Sequence, residues 1–121
     1  MVTIGYMEGT DSGLLTKLAA AGAETLPLGN GWDGHGQYIA HLNVGDGVNA
    51  VVGYYHKFVP LKDSNLMPAD LLKSCKICGI KIFVVADKAD HDKVKTMLGE
   101  VAPDITVVDP GEARDALLKL V

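Results

Sequence analysis

Long apolar runs are missing from this chain: none approaches the ~18–20 residues that a membrane-spanning helix requires. Cysteine is scarce too, and two residues are too few for a disulfide scaffold. Positive charge is in deficit, with 11 basic residues scattered among 15 acidic ones and a formal net charge of −4. Binding to a phosphate backbone draws on clustered Lys and Arg, so nucleic acid is not expected as a partner, and neither is an anionic membrane surface. Met1 to Met7 carry no basic leader and no long apolar stretch, so no signal peptide is read there and the expected location is the cytoplasm. No internal repeat, low-complexity tract or linker breaks the chain.

What is present is an ordinary globular mixture, 48% apolar and 21% charged, over 121 residues. That length matches one domain spanning 1–121, long enough for a core without staples. Element types alternate from the start. Val2–Met7 reads as a strand, and Leu14, Leu15, Leu18 and Ala19 then recur at helical spacing until Gly22. Glu24–Leu28 reads as a second strand, placed at a sheet edge because Pro27 cannot donate to a ladder. Tyr38, Ile39 and Leu42 share one helix face, which predicts a helix over Gln37–Asn43. Val48–Val52 is a third strand, nearly continuous in apolar residues as a doubly covered strand should be. An irregular segment from Gly53 to about Asn65 leads to a helix over Met67–Cys78, with Pro68 in its first turn. Lys81–Val85 is the clearest strand. Asp90 is expected to cap a helix carrying Val94, Met97, Leu98 and Val101, and Asp104–Val108 and Gly111–Leu120 supply the last strand and helix.

Five strand–helix units imply right-handed crossovers and a three-layer α/β domain around a mainly parallel sheet. The economical arrangement is flavodoxin-like (Rossmann-type), with strand order 2-1-3-4-5 and a ligand crevice outside the carboxyl ends of the strands, at the switch between strands 1 and 3. Five loops then become candidates: Glu8–Gly13, Gly29–Gln37, Tyr54–Lys57, Asp87–His91 and Asp109–Glu112.

In the first loop, Gly9, Thr10, Ser12 and Gly13 combine turn glycines with hydroxyl donors ahead of a helix, as a phosphate cradle does. The stretch is similar to the hydroxyl-rich phosphate loop of flavodoxins, which implies phosphate binding; Glu8 and Asp11 put negative charge in the same place, and a plain turn capped by Asp11 or Ser12 is the competing reading. The second loop holds the only tryptophan, Trp32, and His35 among four glycines, offering a stacking surface and an acid–base group or ligand; a bland glycine turn with Trp32 packed on the sheet edge is its rival. Tyr54, Tyr55, His56 and Lys57 follow the most buried strand, where they can stack on a planar ligand, anchor an anion or move protons, or simply cap the core and face solvent. The acids around His91 read as a solvated helix start. Cys75 and Cys78 fall near a helix C-terminus, where the dipole opposes a thiolate, so core packing is expected and no metal site is assigned.

Asp33-Gly34-His35 resembles the opening of the Asp-x-His-x-x-Gly motif of cobalamin-binding domains, but Tyr38 stands at the final glycine position and the stretch follows the second strand, not the first. A response-regulator receiver needs an Asp ending strand 3 and a Lys ending strand 5, where this chain has Tyr54 or Tyr55 and Asp109. Gly47–Gly53 and Cys78–Val84 are similar to the second half of the small iron–molybdenum-cofactor-binding domains of nitrogenase accessory proteins, over about a third of the chain. The N-terminal helix departs from that family, and no family is assigned.

The leading expectation is a small-ligand-binding domain. A planar or phosphate-bearing metabolite or cofactor would lie between Gly9–Gly13 and Tyr54–Lys57, with Trp32 or His35 closing over it. A small enzyme using His35 or His56 as acid–base group, with Lys57 as anion anchor, is the first alternative. A regulatory or scaffolding subunit forming a homodimer is the second.

Overall fold

The computed structural model describes residues 2–59 and 67–121. Its six strands are β1 (Thr3–Met7), β2 (Glu24–Gly29), β3 (Gln37–Tyr38), β4 (Ala50–Tyr54), β5 (Lys81–Val85) and β6 (Ile105–Val108). All pair in parallel, in the order β3-β2-β1-β4-β5-β6. This is the expected flavodoxin-like order with one more strand added at the β2 edge.

Strand residues alternate between two cores. Ile4, Ala50, Val52, Phe83 and Val85 point to the face covered by α1 (Ser12–Ala20) and α4 (Pro110–Leu118), where Leu14, Leu18, Ala113 and Leu117 meet them. Met7, Leu28, Val51, Ile82 and Val84 point to the other face, under α2 (Pro68–Cys78) and α3 (His91–Leu98). Each fully buried Leu, Ile, Val or Phe contributes about 1.5–3 kcal/mol, an upper bound because the unfolded chain already hides some surface. No helix of the described residues is long and apolar enough to cross a membrane.

The expected helix over Gln37–Asn43 does not form. Gln37–Tyr38 pairs with Leu28–Gly29 as β3, and two short 3-10 turns follow, Ile39–His41 and Val44–Asp46. The apolar spacing behind the expectation suits a 3-10 turn equally well, because residues three apart share one side there. Ile39 and Leu42 are buried beneath α2, whose Ser74 hydroxyl donates to the Ala40 carbonyl. Asn43 then starts a new cap, accepting from Gly45 N at 2.8 Å, which ends any continuing helix.

Two other expectations change. β2 is not the edge, although Pro27 does sit on its outer margin: the Pro27 carbonyl lies against Gly36, and β3 reaches only the last two β2 residues. Asp90 precedes α3 without a side-chain cap bond, and Val101 lies in a separate 3-10 segment, Gly99–Asp104. Of the segment expected to be irregular, Tyr55–Lys57 forms a 3-10 turn; the part from 60 to Asn65 lies outside the described residues.

Candidate functional site

At the carboxyl end of the sheet α1 and α4 begin side by side, and their first turns carry Gly13, Gly111 and Ala113 rather than bulky residues. The helix starts therefore leave a crevice of about 310 Å³ above the ends of β4 and β5. Gly53, Tyr54 and Val85 form its floor, with Leu14 and Ala113 rising from the two helices. Lys17 on α1 and Arg114 on α4 stand at its sides, and Thr10 and Asp11 complete one wall.

The helix N-termini beside this crevice are already capped. The Asp11 carboxylate accepts from Gly13 N at 3.4 Å and from Leu14 N at 3.2 Å. Asp109 accepts from Glu112 N at 2.8 Å, and Glu112 returns the bond by accepting from Asp109 N at 3.2 Å. The Glu112 N–H is the chief reason that the Asp109 carboxyl is held below the usual carboxylate range. Thr10 spends its hydroxyl proton on the Met7 carbonyl at 2.7 Å.

A second cluster lies at the β1/β4 switch point. Asn30 is fully buried; its amide donates to the Lys57 carbonyl at 3.2 Å and accepts from Trp32 N at 3.1 Å and Asp33 N at 3.2 Å. Asp33 Oδ1 accepts from His35 N at 3.2 Å. His35 Nδ1 lies 2.9 Å from the Leu28 carbonyl, so that nitrogen carries the proton and donates. Lys57 Nζ stands between Asp33 Oδ2 at 3.6 Å and Glu8 Oε2 at 3.7 Å. Loops from three strands are thereby fastened together, and the glycine-rich loop is a pinned structure with its backbone tied to β2.

The sequence candidates thus divide. Thr10, Gly13 and Tyr54 line the crevice. His35 and Lys57 belong to the pinned cluster, with the Tyr6 ring edge 5.7 Å from the His35 ring. Trp32 and Tyr55 pack against the α2-side core, while Gly9, Ser12 and His56 are exposed, His56 stacking on Tyr54 at 6.3 Å. Neither Trp32 nor His35 is among the crevice-lining residues.

Sequence reasoning overlooked Lys17 and Arg114, which need the α1/α4 pairing to be recognised, and Asn30, whose burial no local pattern signals. His91 Nε2 donates to the Ala86 carbonyl at 2.9 Å, which fits a helix-start role. Cys75 is buried on the Leu71/Leu72 face, and burial, with Cys78 adding to it, pushes its thiol up to about 12. Among the described residues no group of three or more His, Cys, Asp or Glu side chains is placed to hold a metal ion.

Compared with protein-family models, curated proteins and solved structures, the chain matches none.

Proposed function

We propose that this chain is a small-ligand-binding α/β domain whose ligand occupies the crevice between α1 and α4. The observation that carries the reading is the crevice itself: about 310 Å³ opening at the carboxyl ends of parallel strands, with one aromatic ring, that of Tyr54, on its floor. Binding sites of parallel α/β sheets favour that end, and small-ligand pockets run from ~300 Å³ upward with mostly apolar linings. Tyr54, half-buried on the floor, gives a planar ligand a ring to lie against. The acid–base candidates His35, His56 and Lys57 stand outside the lining, so binding rather than catalysis is the reading adopted.

The test is a thermal-shift and NMR screen with nucleotides, flavins and planar organic acids, repeated on Gly111→Phe. Gly111 is exposed at the crevice wall, and an added Cβ meets only Asp109 Oδ1 at 3.5 Å, so the position has room for a side chain that obstructs the crevice. An unchanged amide spectrum away from the crevice checks that the variant keeps the fold. A compound should bind the native chain and fail to bind the blocked variant. Binding that survives the block unchanged, or no binding at all, overturns the proposal.

A further inference from the structure

Resting on that reading, we infer that the crevice is built for a flat organic carboxylate and discriminates against a phosphate ester. Phosphate at the start of a helix needs unspent backbone N–H groups. Here Gly13 N and Leu14 N are taken by Asp11, and Glu112 N by Asp109, so both helix starts present carboxylates where a phosphate would sit. Asp11 cannot turn away without giving up both of its bonds.

The cationic groups left for a ligand are side chains. Lys17 and Arg114 approach from opposite helices, and Asp11 is the acid that shares the lining with them. Lys17 and Arg114 outnumber Asp11 in the lining by one. The Asp109 cap and the Asp115 partner of Arg114 add negative charge close by, so a singly charged carboxylate is better tolerated than a phosphate dianion. Arg114 Nε lies 3.5 Å from Asp115 Oδ1 in an exposed pair that does not use its terminal guanidinium nitrogens, the edge that forks onto a carboxylate. Leu14, Val85 and Ala113 then hold the apolar body of the ligand beside the Tyr54 ring.

Benzoate, benzamide and phenyl phosphate share one ring and differ in the head group, so they separate these contributions. Their affinities are to be measured by NMR titration of the native chain, Arg114→Gln and Lys17→Gln, following the amides of Tyr54, Val85 and Ala113. Benzoate should bind at least about tenfold more tightly than benzamide or phenyl phosphate, the gain expected from one charge-assisted pair. Arg114→Gln should remove most of that advantage and leave benzamide unchanged, and added salt should weaken benzoate alone. Equal binding of benzoate and benzamide, or preference for phenyl phosphate, overturns the carboxylate inference and leaves the crevice as a site. If none of the three shifts those amides, the crevice reading fails and this inference fails with it.

Discussion

Lys57 Nζ lies 3.6 Å from Asp33 Oδ2, an oxygen that no hydrogen-bond donor among the described residues reaches. The Asp33 side chain is only 7% exposed and that of Lys57 15%, so each charge depends on the other more than on water. Glu8, on the far side of the ammonium, is 45% exposed and interacts through solvent.

Removing the lysine should therefore cost more than removing Glu8. Lys57→Met is expected to destabilise the fold by about 2 kcal/mol, short of the ~3–5 kcal/mol for a wholly buried pair. Glu8→Gln should stay within about 0.5 kcal/mol. In a double-mutant cycle with Asp33→Asn, the coupling should reach about 1 kcal/mol. Urea unfolding measures all of these, and equal losses for Lys57→Met and Glu8→Gln would contradict the assignment.

Gly36 has φ +64°, and a Cβ there would run into the Pro27 carbonyl. Gly34 shares φ +64° but has open space around it. Gly36→Ala should cost at least about 2 kcal/mol, from strain and a backbone collision together. Gly34→Ala should cost about 1 kcal/mol from the backbone conformation alone. Comparable urea midpoints for the two variants would show that the loop does not press on β2.

Cys75 supplies a pH signature. Burial raises its thiol from an ordinary 9.0 to about 12. Above pH 9 the unfolded chain releases this proton while the folded chain keeps it, so stability falls as pH rises toward 12. The slope from this group reaches about 1.4 kcal/mol per pH unit at most. Cys75→Ala should flatten the alkaline limb relative to the native chain. At neutral pH a thiol reagent should label Cys78 first, since Cys78 is the less buried of the pair.

Asp109 works in the acid range. Its carboxyl is lowered mainly by the Glu112 N–H, so the stability it adds is present above the unfolded value of ~3.9 and is lost as pH falls through the folded one. Asp109→Ala should lower the Tm at about pH 7, and the gap should narrow as the pH falls below the ordinary carboxylate range and the native cap takes up its proton. A Tm gap independent of pH would remove the cap from the explanation.

The sheet is readable because, after Lys81, β5 and β6 consist of β-branched and apolar residues with helical spacing on both sides of them. The parallel order followed from that alternation. β3 was not readable: two residues, Gln37 and Tyr38, carry no strand pattern of their own and pair only because Gly36 lets the loop fold back on β2. The site was half readable. Thr10, Gly13 and Tyr54 stand in loops that topology singles out, whereas Lys17 and Arg114 sit inside helix patterns where exposed cations are commonplace. Trp32 and His35 looked unusual for a different reason, since they belong to a loop whose rigidity comes from the buried amide of Asn30.

Among the described residues, the shortness of β3 leaves most of the outer margin of β2 without a neighbouring strand, and Pro27 stands in the middle of that margin. An incoming chain from another molecule would find a ring where an amide hydrogen should be, and the Gly36 backbone already against the Pro27 carbonyl. Edge-to-edge polymerisation is thereby blocked on this flank. Concentrated solutions of the protein should resist fibril formation there, with protection that Pro27 supplies by what it lacks.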